Sequence, residues 1–157
     1  ERMSTEHEKF MAVAIAEARK GLRNGEQPFG SVVVRDGNIV GRAFNVVNSS
    51  GDPTTHAEVN AVRDASVNMK TASLAGCTLY TSCDPCPMCA GAIMMAQIER
   101  LFIGARSAKL AEVQNVPGRT YTAENLAEQM HAPLEIIRGV LQDDAEQALT
   151  EYDWSIS

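Results

Sequence analysis

The sequence has no run of about 18 uninterrupted apolar residues, the length at which a helix begins to read as a membrane span. Its first ten residues, Glu1 to Phe10, are mostly charged and polar, without the apolar core of a secretory signal. A soluble cytoplasmic protein is therefore expected. Basic residues are also scarce: 14 Lys and Arg stand against 20 Asp and Glu, for a formal net charge of −6, and no basic run or stripe is visible. Phosphate backbones are held by Lys and Arg that displace counterions. The shortage disfavours a large polyanionic substrate and favours a small neutral one. Internal repeats, low-complexity tracts and linkers are missing as well, so the 157 residues read as one domain spanning 1–157.

What is present is a layered α/β pattern. From Thr5 to about Arg23, Phe10, Met11, Ala14, Ile15, Ala18 and Leu22 recur at three- and four-residue steps, which predicts an amphipathic helix. Ser31 to Val34 and Ile39 to Val47 are β-rich runs joined by Asp36-Gly37-Asn38, a hairpin signal. A loop over 49–53 precedes a helix from about His56 to Asn68. A short strand over 77–81 then runs into a helix starting near Cys86 and carrying Ile93, Met94 and Ile98. A strand at 101–103, a loop around Pro117-Gly118, a helix near 123–130, a strand near 134–137 and a helix over 143–152 follow. Alternating strands and helices predict helices covering a sheet that contains one antiparallel hairpin.

The four cysteines lie at 77, 83, 86 and 89, three of them within seven residues. In a reducing compartment such spacing reads as metal binding or redox chemistry before it reads as disulfides. His56-Ala57-Glu58 and Pro85-Cys86-Pro87-Met88-Cys89 together supply imidazole nitrogen and thiolate sulfur, the donors that tetrahedral zinc takes. Cys86 and Cys89 at a helix start would present both sulfurs on one side, where the helix dipole favours thiolates. Pro87 suits a first helical turn. With His56 as third ligand, one position stays open for water, the mark of a catalytic zinc. Glu58 would then serve as base and acid in turn. Two residues apart on a helix means roughly 200° of rotation, so His56 and Glu58 reach one cleft only from an irregular first turn. Cys83-Asp84-Pro85-Cys86 is a second Cys-x-x-Cys. The metal could use Cys83 in place of Cys89, or all three cysteines with His56. The last arrangement is a closed structural site, and the protein would then be an interaction module.

His-x-Glu followed by Pro-Cys-x-x-Cys resembles the signature of the zinc-dependent nucleoside and nucleobase deaminases, the cytidine deaminase superfamily. Pro28-Phe29-Gly30, Asn45, Asp52-Pro53-Thr54-Thr55 and Ala90-Gly91-Ala92 extend the resemblance over about residues 8 to 106. It implies a three-layer α/β/α sandwich of cytidine deaminase type with a mixed sheet and an N-terminal antiparallel hairpin. It implies a homodimer, zinc on His56, Cys86 and Cys89, Glu58 as proton shuttle, and Cys83 as a non-ligand. Asn45 matches the position that hydrogen-bonds the substrate base. The reaction implied is hydrolytic: water replaces an exocyclic amine on a heterocycle, and ammonia leaves.

Residues 81–89 and 52–56 are most similar in wording to bacterial guanine deaminases, although the glycine-phenylalanine-aspartate-aspartate segment of those enzymes is absent from 107–120. Asp153-Trp154 resembles the end of fungal cytosine deaminases, which closes their pocket, and so places Trp154 at the substrate. Ala90-Gly91-Ala92 and Gly104-Ala105-Arg106 resemble tRNA adenosine deaminases. The expectation is deamination of a free nucleobase or similar small heterocycle, guanine-type first and cytosine-type next. A tRNA adenosine deaminase is the alternative.

Overall fold

The computed structural model describes residues 5–156. In chain order the elements are α1 (Thr5–Arg23), β1 (Gly30–Arg35), β2 (Asn38–Phe44), α2 (Val47–Ser50), α3 (Ala57–Met69), β3 (Thr78–Cys83), α4 (Pro87–Met95), β4 (Arg100–Ala105), α5 (Ser107–Gln114), α6 (Ala123–Gln129), β5 (Glu135–Arg138) and α7 (Gln142–Thr150). A 3-10 turn, Trp154–Ile156, follows them. The five strands form one sheet in the order β2-β1-β3-β4-β5. β1 is antiparallel to both β2 and β3, whereas β3, β4 and β5 run parallel. Helices cover both faces, which is the mixed α/β/α sandwich expected. Among the described residues no helix is long and apolar enough to cross a membrane.

Strand alternation divides the core into two. Val32, Val34, Tyr80 and Phe102 point into one buried cluster with Phe10, Met11, Ala14 and Ile15 of α1 and Ala145 and Leu149 of α7. Val33, Leu79, Leu101 and Ile103 point into the other, with Ala61 and Ala65 of α3 and Ile93 of α4. Two glycines let the helices come close. A Cβ at Gly30 would run into the Ala14 carbonyl and Ala18 amide of α1, and one at Gly41 would lie 2.6 Å from the Ala61 carbonyl of α3.

The hairpin turn lies at Asp36 and Gly37, with φ of 50° and 77°, the left-handed pair that matches strand twist. Three details depart from the sequence reading. β2 stops at Phe44, and the chain forms the short helix α2 where a loop is expected. The buried Glu26 carboxylate accepts the Asn48 and Ser49 amides at 2.9 and 3.2 Å and so satisfies the start of that helix. α4 ends at Met95 because Gln97 takes a left-handed φ of 66°, leaving Ile98 buried in the connection and not on the helix. α5 is an additional helix over residues 107–114, where no element is expected.

Candidate active site

The N-terminal ends of α3 and α4 meet at the end of the sheet. His56 is the residue before α3 and has extended backbone (φ −70°, ψ 157°), while Glu58 lies within its first turn. Helical rotation therefore does not separate them, and both line one cavity of about 200 Å³. Cys86 holds the equivalent position before α4 (φ −73°, ψ 170°), Pro87 is the first helical residue and Cys89 lies two further on. Neither His56 nor Cys86 caps its helix with its side chain. Both side chains are turned to the cavity instead.

His56 Nδ1 lies 3.6 Å from Cys86 Sγ and 3.4 Å from Cys89 Sγ. The three donor atoms all fall within 4.8 Å of one another. Zinc bonds of about 2.0–2.3 Å at tetrahedral angles require donors about 3.5–3.8 Å apart. The donor set thus fits a zinc ion, with Nδ1 as the imidazole ligand. Without metal the two thiols share their protons unequally. The Cys89 thiol hydrogen-bonds Cys86 and, with His56 adjoining, holds Cys86 down to about 4, while Cys89 is pushed up.

Glu58 is buried, and desolvation raises its pKa to about 7, with the Cys86 thiolate adding to the rise. Cys83 also borders the cavity. Its side chain packs in the apolar cluster of α1 and α7, burial pushes its thiol well up, and it is outside the metal-fitting group. The closed four-ligand arrangement is not formed.

Asn45 is buried and lines the cavity. Its Oδ1 accepts the Val47 amide at 3.0 Å, and Nδ2 has no protein partner among the described residues. That orientation offers donors to the cavity, so the matching substrate atom is an acceptor. Trp154 does not line the cavity. Its indole N–H donates to the Leu149 carbonyl at 2.7 Å, and its ring packs 6.0 Å from Phe29, the residue that does line it.

Several wall residues have no signal in the sequence motifs: Gln27, Asp84, Leu110, Gln114 and Arg119. Asp84 and Pro85 directly precede Cys86, and the C-terminal third holds them in place. Arg138 of β5 donates to the Asp84 carboxylate at 2.8 Å and to Glu124 of α6 at 2.7 Å. Arg119 donates to the Asp84 and Pro85 carbonyls at 3.0 and 2.9 Å. A run of β-type and helical segments that carries no ligand of its own thus fixes the approach to the first cysteine.

Residues 4–105 match the family model of the cytidine and deoxycytidylate deaminase zinc-binding region. The chain is 45% identical to the guanine deaminase of Bacillus subtilis over 68% of this chain and 69% of that protein. It is 34% identical to the tRNA-specific adenosine deaminase of the same organism, over 94% of this chain and 89% of the relative. A chloroplastic tRNA(adenine(34)) deaminase of Arabidopsis thaliana is 35% identical over 94% of this chain, which spans only 12% of that longer protein. Among solved structures, a tRNA:A34 deaminase superposes with a TM-score of 0.79 at 31% identity, covering 90% of this chain and 99% of its own. A guanine deaminase from Nitrosomonas europaea gives 0.80 at 25% identity over 92% and 83%. With the zinc-fitting donor set and the fold in agreement, this chain belongs to the cytidine and deoxycytidylate deaminase family and is a zinc-dependent hydrolytic deaminase.

Proposed function

We propose that this protein deaminates a free nucleobase or similar small amino-substituted heterocycle, guanine-type first and cytosine-type next, with water as co-substrate. In this reading His56, Cys86 and Cys89 hold the zinc and Glu58 carries the protons, within one cytoplasmic domain over residues 1–157. The charge around the cavity carries the substrate reading. Arg106 is paired with Glu146 at 2.8 Å, Lys109 with Glu112 at 2.7 Å, and Arg138 with Asp84 and Glu124. Among the described residues Arg119 is the cavity-wall cation outside these pairs, and one free guanidinium among neutralised cations makes a poor phosphate track, so the surroundings suit a small ligand better than a nucleic acid.

Bound zinc supplies Lewis-acid polarisation and lowers the pKa of water. Glu58, buried in the cavity beside the three donors, takes a proton from the attacking water. It passes that proton to the ring nitrogen beside the amine-bearing carbon as the C–O bond forms. A second transfer through the same carboxylate protonates the amine, the C–N bond breaks, and ammonia leaves an oxo base. Asn45 Nδ2 donates to a carbonyl or ring nitrogen of the base, and Phe29 and Leu110 supply apolar walls. The cavity is smaller than the ~300 Å³ at which drug-sized pockets begin, in keeping with one ring system.

A tRNA adenosine deaminase is the second reading, favoured by relatives of that activity that match nearly the whole chain. Ammonia release from guanine, cytosine, adenine, their nucleosides and a tRNA anticodon stem-loop separates the two. Turnover of at least one free base is expected. Deamination of the stem-loop with no free base or nucleoside converted would replace this reading by the second.

A homodimer is part of the same proposal. Val67 and Met95, 69% and 77% exposed, rim an apolar groove across α3 and α4 that also includes Val62 and Ala92. Sedimentation should give a dimer that a Met95→Glu change converts to monomer. A monomeric wild type would remove the proposal.

A further inference from the structure

Among the described residues, Arg119 is the cation of the cavity wall left without a carboxylate. Its guanidinium is fixed from two sides. Nη1 donates to the Asp84 and Pro85 carbonyls at 3.0 and 2.9 Å, and the guanidinium carbon lies 5.3 Å from the Tyr121 ring centroid. Those two bonds use both Nη1 hydrogens. Nε and Nη2 make no hydrogen bond to protein among the described residues, and their three N–H groups form the edge that grips a carboxylate or phosphate with two parallel bonds. The Asp84 carboxylate does not neutralise it, being engaged by Arg138. Arg106 and Lys109 have their own acids. A half-buried cation with an open bidentate edge, beside a reaction site, is a receptor lacking its anion.

We infer that Arg119 binds an anionic substituent, carboxylate or phosphate, on the heterocycle whose amine the site removes. The inference rests on the small-heterocycle reading above and narrows it: the preferred substrate is a base bearing an acid group. The net charge of −6 does not oppose this. Exposed charges are screened beyond about 8 Å at physiological ionic strength, whereas Arg119 acts in contact. Hydrogen bonds to a charged group contribute about 10- to 100-fold in affinity, and that is the discrimination expected.

The test uses matched pairs on the zinc-loaded protein. Pterin and pterin-6-carboxylate, and cytosine and cytosine-5-carboxylate, form the carboxylate arm. Cytidine and guanosine with their 5′-monophosphates form the phosphate arm. In one arm the acid member should exceed its neutral partner by 10-fold or more in kcat/KM. Arg119→Gln should abolish the preference, mainly through KM, with zinc content unchanged, and Arg119→Lys should restore part of it. Arg138→Gln, which loosens Asp84 without removing the anion receptor, should slow both members alike. A wild type with no preference in either arm, or one turning over no acid member, overturns the inference. So does a preference that survives Arg119→Gln. Neutral free bases turned over without acid preference leave the small-heterocycle reading standing and reduce Arg119 to a clamp on the ligand loop. Turnover of the anticodon stem-loop alone overturns both.

Discussion

Glu58→Gln is expected to keep about one zinc per chain and a native fold while kcat falls by about 10²- to 10⁴-fold, the usual worth of a positioned general acid–base. The amide has the size of the carboxylate but neither takes nor gives up a proton at neutral pH. Glu58 is not one of the three donor atoms that fit the metal, so zinc content has no reason to follow activity. A second readout comes from protein stripped with a chelator. Burial raises the Glu58 pKa from 4.5 to about 7, so the folded state binds its proton more tightly than the unfolded state does. The charged form therefore destabilises the stripped fold progressively as pH rises from about 4.5 to about 7, and fully above that. Stripped Glu58→Gln should be more stable than stripped wild type at pH 8 and show no such advantage at pH 4. Metal analysis, a rate assay and denaturation at the two pH values check all three. A fully active Glu58→Gln protein would end the proton-shuttle role.

Residues that act on their sequence neighbours were legible. Asp36-Gly37 specifies its turn through backbone preference, and α1 announces itself by an apolar stripe that is buried from Phe10 to Ala18, with Leu22 half-buried at its end. The metal group was legible for a related reason. His56 and Cys86 are equivalent positions on two helix starts, and local chain geometry turns both side chains to one point. α5 escaped because Leu110 is its one buried residue, too little to set a period. Nothing in the sequence marks Glu26 as buried, because the amides that satisfy it come from a helix 22 residues later. Arg119 and Gln114 at the cavity wall, and Arg138 behind Asp84, could not be placed from sequence. The partners of the two arginines lie 14 to 54 residues away, and no local spacing marks any of the three. Trp154 shows the converse. The resemblance of Asp153-Trp154 to fungal cytosine deaminases points it at the substrate, whereas its indole N–H is committed to the backbone and its ring backs Phe29.

The cysteines should separate by their place in the fold and not by their spacing. Cys86→Ser and Cys89→Ser are each expected to lose zinc on dialysis and to melt at lower temperature, because forming the site is coupled to folding and a serine hydroxyl is a poor replacement for thiolate. Both sulfurs approach the same imidazole nitrogen, at 3.6 and 3.4 Å, so removing either leaves two donors where three hold the metal. Cys83→Ser should retain about one zinc per chain under the same dialysis. Its thiol is buried among apolar side chains, and burial disfavours the thiolate that zinc requires. A serine there buries a hydroxyl and can cost about 1–3 kcal/mol of stability by itself, so Cys83→Ala is the companion that removes sulfur without adding a polar group. If Cys83→Ala keeps both zinc and activity, sulfur at 83 has no part in the metal site. Loss of zinc from Cys83→Ala together with its retention in Cys89→Ser would reverse the ligand assignment. It would put Cys83, which borders the same cavity, in the place of Cys89 beside His56 and Cys86.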